Sequence, residues 1–466
     1  MKDGKQWVHF LGICGGGAAG IAGMMKRKGF YVTGSDQGAY PPMTDYLEKQ
    51  EIEFNKIYEA ENINGEMDLV VVAGNALHVD PNNSELSRAR ELGIKIISWP
   101  EILQEHVARD ESVVVAGTYG KTTISTLLVK ILTMAGLNPS YMIYMTTSDF
   151  ENNCESTESN YSVLEGDEHP TLGYSDLPKF AYFPPKYMVL TSAMWDHFNI
   201  YHNEKAYIEV FKDAVRKLPK EGFLLAAKNG ANLEEIAAGA NCQVFWYEAD
   251  ENVKIDRGNG DMAMKIFLKI DKQVAQLQTR LFGRHNAENI IAAAVCAWKL
   301  KVPLKAIIDA VAGFGGIPAR LELKANGKNW KLYHDVGQHP GKAKGAIEAL
   351  RWRYPDSRIT VVFDPQASVL HDRNSLNWYD NAFSQADEII VTKISHRKTS
   401  GERVTGRAIV EAIKPTQSNV NYFPEDEIWL EKLRNLSKDR ENIILVLTSG
   451  GFRGLWKQLL DMLKTN

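Results

Sequence analysis

The chain has 466 residues, 44% apolar and 24% charged, the balance of a soluble globular protein long enough for two to four domains. A formal net charge of −4 excludes the basic field that makes nucleic acid or an anionic membrane the default partner. Cys14, Cys154, Cys242 and Cys296 are far apart and form no C-x-x-C pair, and no apolar run approaches the roughly 20 residues of a membrane span.

In chain order, "WVHFLGI" (7–13) reads as a buried strand, followed by a glycine-rich turn, a helix-like "IAGMMKRKG" and a second strand, "FYVTGSD". The stretch Trp7–Met25 is glycine-interrupted and lacks a small-residue cleavage site, so it is read as fold rather than leader. "MDLVVVAG", a polar helix around "NNSELSRAREL" and "KIISW" continue the strand-helix-strand rhythm of a doubly wound parallel sheet. Residues 1–108 are expected to form this Rossmann-like domain. Gly15-x-Gly17-x-x-Gly20 after the first strand, with Asp36 about 20 residues on, meets the dinucleotide fingerprint, so an NAD-dependent oxidoreductase is one reading.

"ESVVVAGTYGKTTISTLLVKILTMAG" restarts the rhythm and opens a second α/β domain, expected over 109–322. Its loop ends in Gly120-Lys121-Thr122. The full-length phosphate loop has a glycine five residues before Gly120, and Val115 stands there instead. Gly117 and Gly120 still let backbone N–H groups converge on phosphate oxygens at the positive end of a helix. Lys121 can reach terminal phosphates, and Thr122 can ligate Mg²⁺. Downstream, "VLEGDEH" places Glu165, Asp167 and Glu168 at the end of an apolar strand-like stretch, and hard carboxylate oxygens of this kind suit Mg²⁺. "HNAENIIAAAVCAWKL" reads as an amphipathic helix whose asparagines can cap its start. From 323 to 466 the strands "WKLYHD", "RITVVFD", "EIIVTKI" and "NIILVLTSGG" alternate with helical segments in a smaller, third α/β domain.

The shortened loop G-T-x-G-K-T-T resembles that of the Mur ligase family, the ATP-dependent amide-forming enzymes of peptidoglycan synthesis, and of the related folylpolyglutamate synthetases. Tyr119 departs from the histidine or asparagine common there. The likeness extends along nearly the whole chain, through "TSAMWDHFNIY", "GRHNAENIIAAA", "GFGGIPARL" and "LYHDVGQHPGKAKGAIEAL", with Ser192, His334 and Gln338 as further departures.

The resemblance implies a three-domain α/β fold with a Rossmann-like N-terminal domain, a central P-loop ATPase-type domain and a smaller Rossmann-like C-terminal domain. It also implies a residue assignment. Lys121, Glu165 and His197 would be catalytic, with Thr122, Glu165 and His197 as metal ligands. ATP would meet Gly117, Thr118, Gly120, Lys121, Thr122, Thr123, His285, Asn286, Asn289, Arg320, Asp335 and His339. A UDP-sugar would meet Gly12, Gly15, Gly17, Gly20, Ser35, Asp36 and Asn75, and Gly451 and Arg453 would face a peptide.

Two branches of the family share such a first domain. One adds L-alanine to UDP-N-acetylmuramate; the other recycles the tripeptide L-alanyl-γ-D-glutamyl-meso-diaminopimelate onto the same acceptor. "VVAGNALHVDPNNSEL", "EGDEHPTLGYSDLPKF" and "LTSGGFRGLWKQLLDML" are similar to segments of the second branch. The implied cofactors are ATP and Mg²⁺, the location is the cytoplasm, and the assembly is a monomer or weak homodimer. Neither nucleic acid nor membrane is an expected partner. A ligase-derived binding protein without turnover is a third reading.

Overall fold

The computed structural model describes residues 2–73, 76–195, 200–249, 253–258, 262–270, 273–366, 370, 373–394, 404–436, 439–449 and 451–464. They fall into two compact units, one of residues 1–254, 266–277 and 288–315, the other of 255–265, 278–287 and 316–466.

The first unit begins with β1 (Trp7–Leu11), β2 (Tyr31–Ser35), β3 (Glu53–Asn55), β4 (Leu69–Val72) and β5 (Lys95–Ser98), a parallel sheet in the order β3-β2-β1-β4-β5. Every residue of β1 is buried, which is why it reads as a continuous apolar run rather than an alternating one. The chain reverses its direction of winding between β1 and β4. Ligands of open α/β sheets bind outside the carboxyl ends of the strands at such a switch point, here where the helix Gly16–Arg27 begins.

The same unit holds a second sheet of β6 (Glu111–Ala116), β7 (Ser140–Met142), β8 (Cys154–Glu155), β9 (Tyr161–Gly166), β10 (Tyr187–Leu190), β11 (Phe223–Ala227) and β12 (Gln243–Tyr247). Their order is β12-β11-β10-β6-β9-β7-β8, parallel except for the β7–β8 pair. β6 is central and feeds the helix Lys121–Met134. The register sets Val115 opposite Glu165, so the carboxylate lies level with the loop leaving β6. The strand read through "YMVLTSAMWDH" stops at Leu190.

One cluster of buried side chains spans both sheets, from Val8 and Phe10 through Trp99 and Ile102 to Val114, Leu164, Leu190 and Phe211. The two sheets of this unit therefore share a core.

β13 (Lys254–Arg257), β14 (Met264–Ile270) and β15 (Gln273–Thr279) form a small sheet in that order, not anticipated from the sequence. In β14 buried positions alternate with more accessible ones, the period of a half-covered strand.

The second unit contains β16 (Glu322–Asn326), β17 (Trp330–Asp335), β18 (Arg358–Phe363), β19 (Glu388–Val391), β20 (Val420–Tyr422) and β21 (Asn442–Leu447), in the order β16-β17-β21-β18-β19-β20. Only the edge pair β16–β17 is antiparallel. Separate apolar clusters cover its faces, one around Leu350, Phe363 and Phe383, the other around Trp429, Phe452 and Leu459. The fold is α/β, built on parallel sheets. No helix among the described residues is long and apolar enough to cross a membrane.

Candidate active site

The loop after β6 is shaped by close approach. Gly117 has φ +120°, and a Cβ there would meet Thr191 Oγ1 at 2.4 Å and the Ser192 backbone at 2.7 and 2.8 Å. Gly120 has φ +78°, and its Cβ would fall 2.3 Å from Asn289 Oδ1. Only glycine fits either position without displacing a neighbour. Thr118 is buried and anchors the loop: its N–H donates to the Ser192 carbonyl (2.9 Å) and its hydroxyl to that of Met194 (2.9 Å). Thr191 Oγ1 donates to the Tyr119 carbonyl at 2.6 Å, so the departure at 119 leaves the backbone held. Thr123 is buried within the first turn of the helix.

Lys121 Nζ lies 2.8 Å from Glu168 Oε2 and donates to the Gly117 carbonyl at 2.7 Å. Burial alone would lower this ammonium, but Glu168, assisted by Asp167 and Glu165, raises it above the ordinary lysine value. Thr122 donates to Glu165 Oε1 at 2.7 Å, and the Tyr144 N–H to Oε2 at 3.0 Å. Burial nevertheless raises the Glu165 carboxyl above its usual range. Asp167 behaves oppositely: burial opposes its charge, yet His169 and Lys179 hold it well below the carboxylate range. Tyr144 donates to Asp167 and is itself pushed well above the usual phenol value, first by burial and then by the surrounding carboxylates.

Glycines also crowd the crevice at the carboxyl ends of the first sheet's strands. Gly12 (φ +82°) turns the chain where a Cβ would meet the Ala73 carbonyl at 3.0 Å, and Gly15 caps the helix. At Gly20 a Cβ would sit 1.7 Å from Asn153 Oδ1, and the Asn153 amide donates to the Gly16 carbonyl. Gly17 faces Met142, Tyr144 and Trp99. Asp36 accepts the N–H groups of Cys14 (2.9 Å) and Gly38 (2.7 Å), fixing the loop that precedes the helix. Burial and Asp36 push the Cys14 thiol up to about 12, so it is not a thiolate at neutral pH. Ser35 donates to Glu85, a fully buried carboxylate that also accepts from Asn62 at 2.5 Å. The sequence reading missed this support for Ser35; an acidic residue in a polar helix gave no sign of burial.

Asn289 belongs to the first unit, where its side chain closes on the position a Cβ of Gly120 would take. His285, Asn286, Arg320, Asp335 and His339 lie in the second. Burial lowers the His285 imidazole, with Asp335 opposing. Asn286 donates to the Phe282 carbonyl (2.9 Å), and Asp335 accepts from the N–H groups of Leu321 (2.8 Å) and Gly337 (2.6 Å). His339 caps the helix Pro340–Arg353 and packs on Trp378, while Arg320 is partly buried beside the Ala319 carbonyl. Arg453 (φ +52°) forms ion pairs with Asp364 and, at 2.5 Å, Asp426, so its guanidinium is engaged by two carboxylates. Gly451 is exposed. Asn75 and His197 lie outside the described residues.

No group of three or more His, Cys, Asp or Glu side chains suited to a metal occurs among the described residues. The Thr122 hydroxyl and Glu165 carboxylate nevertheless converge as hard oxygen donors, and the raised Glu165 carboxyl has less compensation than its charge requires. That combination fits a divalent cation.

Three successive family models match the chain: Mur ligase family, catalytic domain, over 7–111; Mur ligase middle domain over 115–297; and Mur ligase, glutamate ligase domain, over 319–450. The UDP-N-acetylmuramate--L-alanine ligase of Paenarthrobacter aurescens is 32% identical over 365 residues, 77% of this chain and 76% of that protein. The chain belongs to the Mur ligase family. This Mur ligase is also similar to the UDP-N-acetylmuramate--L-alanyl-gamma-D-glutamyl-meso-2,6-diaminoheptandioate ligase of Haemophilus influenzae, 27% identical over 460 residues, covering 98% of this chain and 99% of that one. The UDP-N-acetylmuramate-alanine ligase structure from Thermotoga maritima superposes with a TM-score of 0.76 at 20% identity, covering 98% and 99% of the two chains. At that identity the likeness speaks for the Mur ligase fold.

Proposed function

We propose that the protein is an ATP-dependent ligase joining the carboxylate of UDP-N-acetylmuramate to the amine of L-alanyl-γ-D-glutamyl-meso-diaminopimelate in peptidoglycan recycling. The observation that carries this reading is the convergence of Lys121, Thr122, Glu165 and Glu168 at a phosphate loop that shares one core with the glycine-rich crevice of the first sheet. One loop suits ATP, the other the diphosphate of a nucleotide sugar. The residue divisions 1–108, 109–322 and 323–466 serve as sugar-, ATP- and amine-binding parts.

A carboxylate is a poor electrophile and must first accept a phosphoryl group. Backbone N–H groups of the loop and the start of the helix Lys121–Met134 hold the triphosphate, and Lys121 exchanges Glu168 for phosphate oxygens, balancing charge that spreads over them during transfer. A bound Mg²⁺, held by Thr122 and Glu165 with His197 at a further position, would supply additional positive charge to the phosphates. Gly15 leaves the backbone at the helix start open to the sugar diphosphate, Gly12, Gly17 and Gly20 let neighbouring segments pack against that turn, and Asp36 and the Ser35 carbonyl fix the loop. The amine then attacks the acyl phosphate, an amide forms, and phosphate leaves.

A second reading, transfer to L-alanine, is favoured by the 32% identity to the Paenarthrobacter aurescens protein. Phosphate release from ATP is to be measured with UDP-N-acetylmuramate and either the tripeptide or L-alanine. Release only with the tripeptide supports the first reading, and release only with L-alanine supports the second. Release with neither sinks both.

A further inference from the structure

A carboxylate holds a cation best when its plane is fixed beforehand, and the partner of its other oxygen does that fixing. In Glu165, Oε1 accepts the Thr122 hydroxyl at 2.7 Å and Oε2 accepts the Tyr144 N–H at 3.0 Å. Oε1 is thus the oxygen beside the second hard donor, and Oε2 is the one tied to the chain. We infer that Tyr144 is the positioning residue of Glu165, and that its ring, seated against the glycine at 17, sets where that N–H stands. The inference rests on the metal-nucleotide part of the ligase reading above.

The β7–β9 ladder ends before residue 144, its last pair being Met142 with Leu164. Past that point the side chain of Tyr144 supplies the anchors. Its hydroxyl donates to Asp167 Oδ2 at 3.3 Å, an oxygen that Lys179 Nζ holds at 2.6 Å. Its ring meets Trp99 edge to face, with centroids 6.2 Å apart, and both Trp99 and Met142 are buried.

The crevice of the first sheet supplies the other neighbour. A Cβ on Gly17 would lie 3.4 Å from Tyr144 Cε1, 3.3 Å from Met142 Cε and 3.7 Å from Trp99. Carbon atoms pack best at about 3.5–4.0 Å, so a methyl group there presses on the ring and on Met142 together. Gly17 is the middle glycine of the dinucleotide fingerprint, where the usual reason for glycine is the approach of a pyrophosphate. Here the absent side chain also makes room for a tyrosine whose N–H belongs to the cation site. Crevice and cation site thereby share one residue.

The quantity to measure is the ratio of ATP dissociation constants without and with saturating Mg²⁺, by calorimetry on the full chain. A merely structural loss would weaken ATP binding alike in both conditions and leave the ratio unmoved. Tyr144→Leu is expected to lower the ratio by about tenfold, the lower end of the loss when a metal ligand's own hydrogen-bond partner is disturbed. Tyr144→Phe keeps the ring beside Gly17 and should keep most of the ratio. Gly17→Ala should lower it in the wild-type background but add little to Tyr144→Leu, because the changed side chain no longer meets the methyl group and residues in contact are not additive. Tyr144→Met, read the same way, covers a leucine variant that does not fold. An unchanged ratio in Tyr144→Leu, an equal loss in Tyr144→Phe, or losses that multiply in the double variant overturn the inference. A wild-type protein whose ATP affinity ignores Mg²⁺ removes the metal-nucleotide reading itself, which is a different outcome.

Discussion

Lys121 and Glu168 form an ion pair at 2.8 Å in which the carboxylate is 2% exposed and the ammonium 16%. The loop lysine is therefore neutralised by its own protein until a phosphate displaces the carboxylate. Removing one member of such a pair leaves an uncompensated charge out of water, a cost of about 3–5 kcal/mol, whereas removing both is far milder. Glu168→Ala is expected to lose about that much stability in urea unfolding, and Lys121→Met/Glu168→Gln to recover most of it. Saturating ATP should stabilise Glu168→Ala more than the wild type, because the triphosphate replaces the missing charge.

Glu165 should show the opposite balance. Its carboxyl is raised by burial, so ionisation at neutral pH costs folding stability. Glu165→Gln is expected to melt no lower than the wild type at pH 7 and to lose its Mg²⁺-dependent gain in ATP affinity. Its turnover should fall by roughly 10²-fold, a typical loss for one transition-state stabilising group. Thermal unfolding and a magnesium titration of ATP binding measure both effects.

Asp167 gives the stability a pH dependence. Its folded pKa lies well below the unfolded value of about 3.9, so the unfolded chain takes up the proton first as pH falls. Its contribution is complete above that value and is lost as pH drops through the depressed one. Between pH 5 and pH 3, urea unfolding should weaken more steeply in the wild type than in Asp167→Asn.

Gly20 tests close packing in the first unit. A Cβ there would sit 1.7 Å from Asn153 Oδ1, so Gly20→Ala should destabilise by about 1–3 kcal/mol. Because the clash is with a side chain rather than backbone, Gly20→Ala/Asn153→Ala should recover part of the loss. Gly117→Ala meets the Ser192 backbone and has no such partner substitution.

Much of the fold was legible because its central strands are buried along all or nearly all of their length and so stand out as short apolar runs, as β1, β6, β18 and β21 do. β8, two residues long, and β13, which carries two charged side chains beyond its lysine, offer no such run. The phosphate loop was legible because glycine, lysine and threonine must be adjacent there. Contacts such as Glu85 with Ser35, or Lys179 with Asp167, depend on tertiary placement, and no spacing rule links residues 50 or 12 apart. The Arg453 ion pairs with Asp364 and Asp426 were hidden for the same reason.

The side chain of Asn153 threads into the notch left by Gly20, Arg27 reaches the Cys154 carbonyl and Glu155, and beneath them both sheets of the first unit draw on common apolar packing. The half built on the first sheet and the half that carries the Gly120-Lys121 loop are thus welded rather than hinged. Heat should melt them in a single cooperative step, and a ligand gripping either half should protect the other from proteolysis, although no atom of it reaches there.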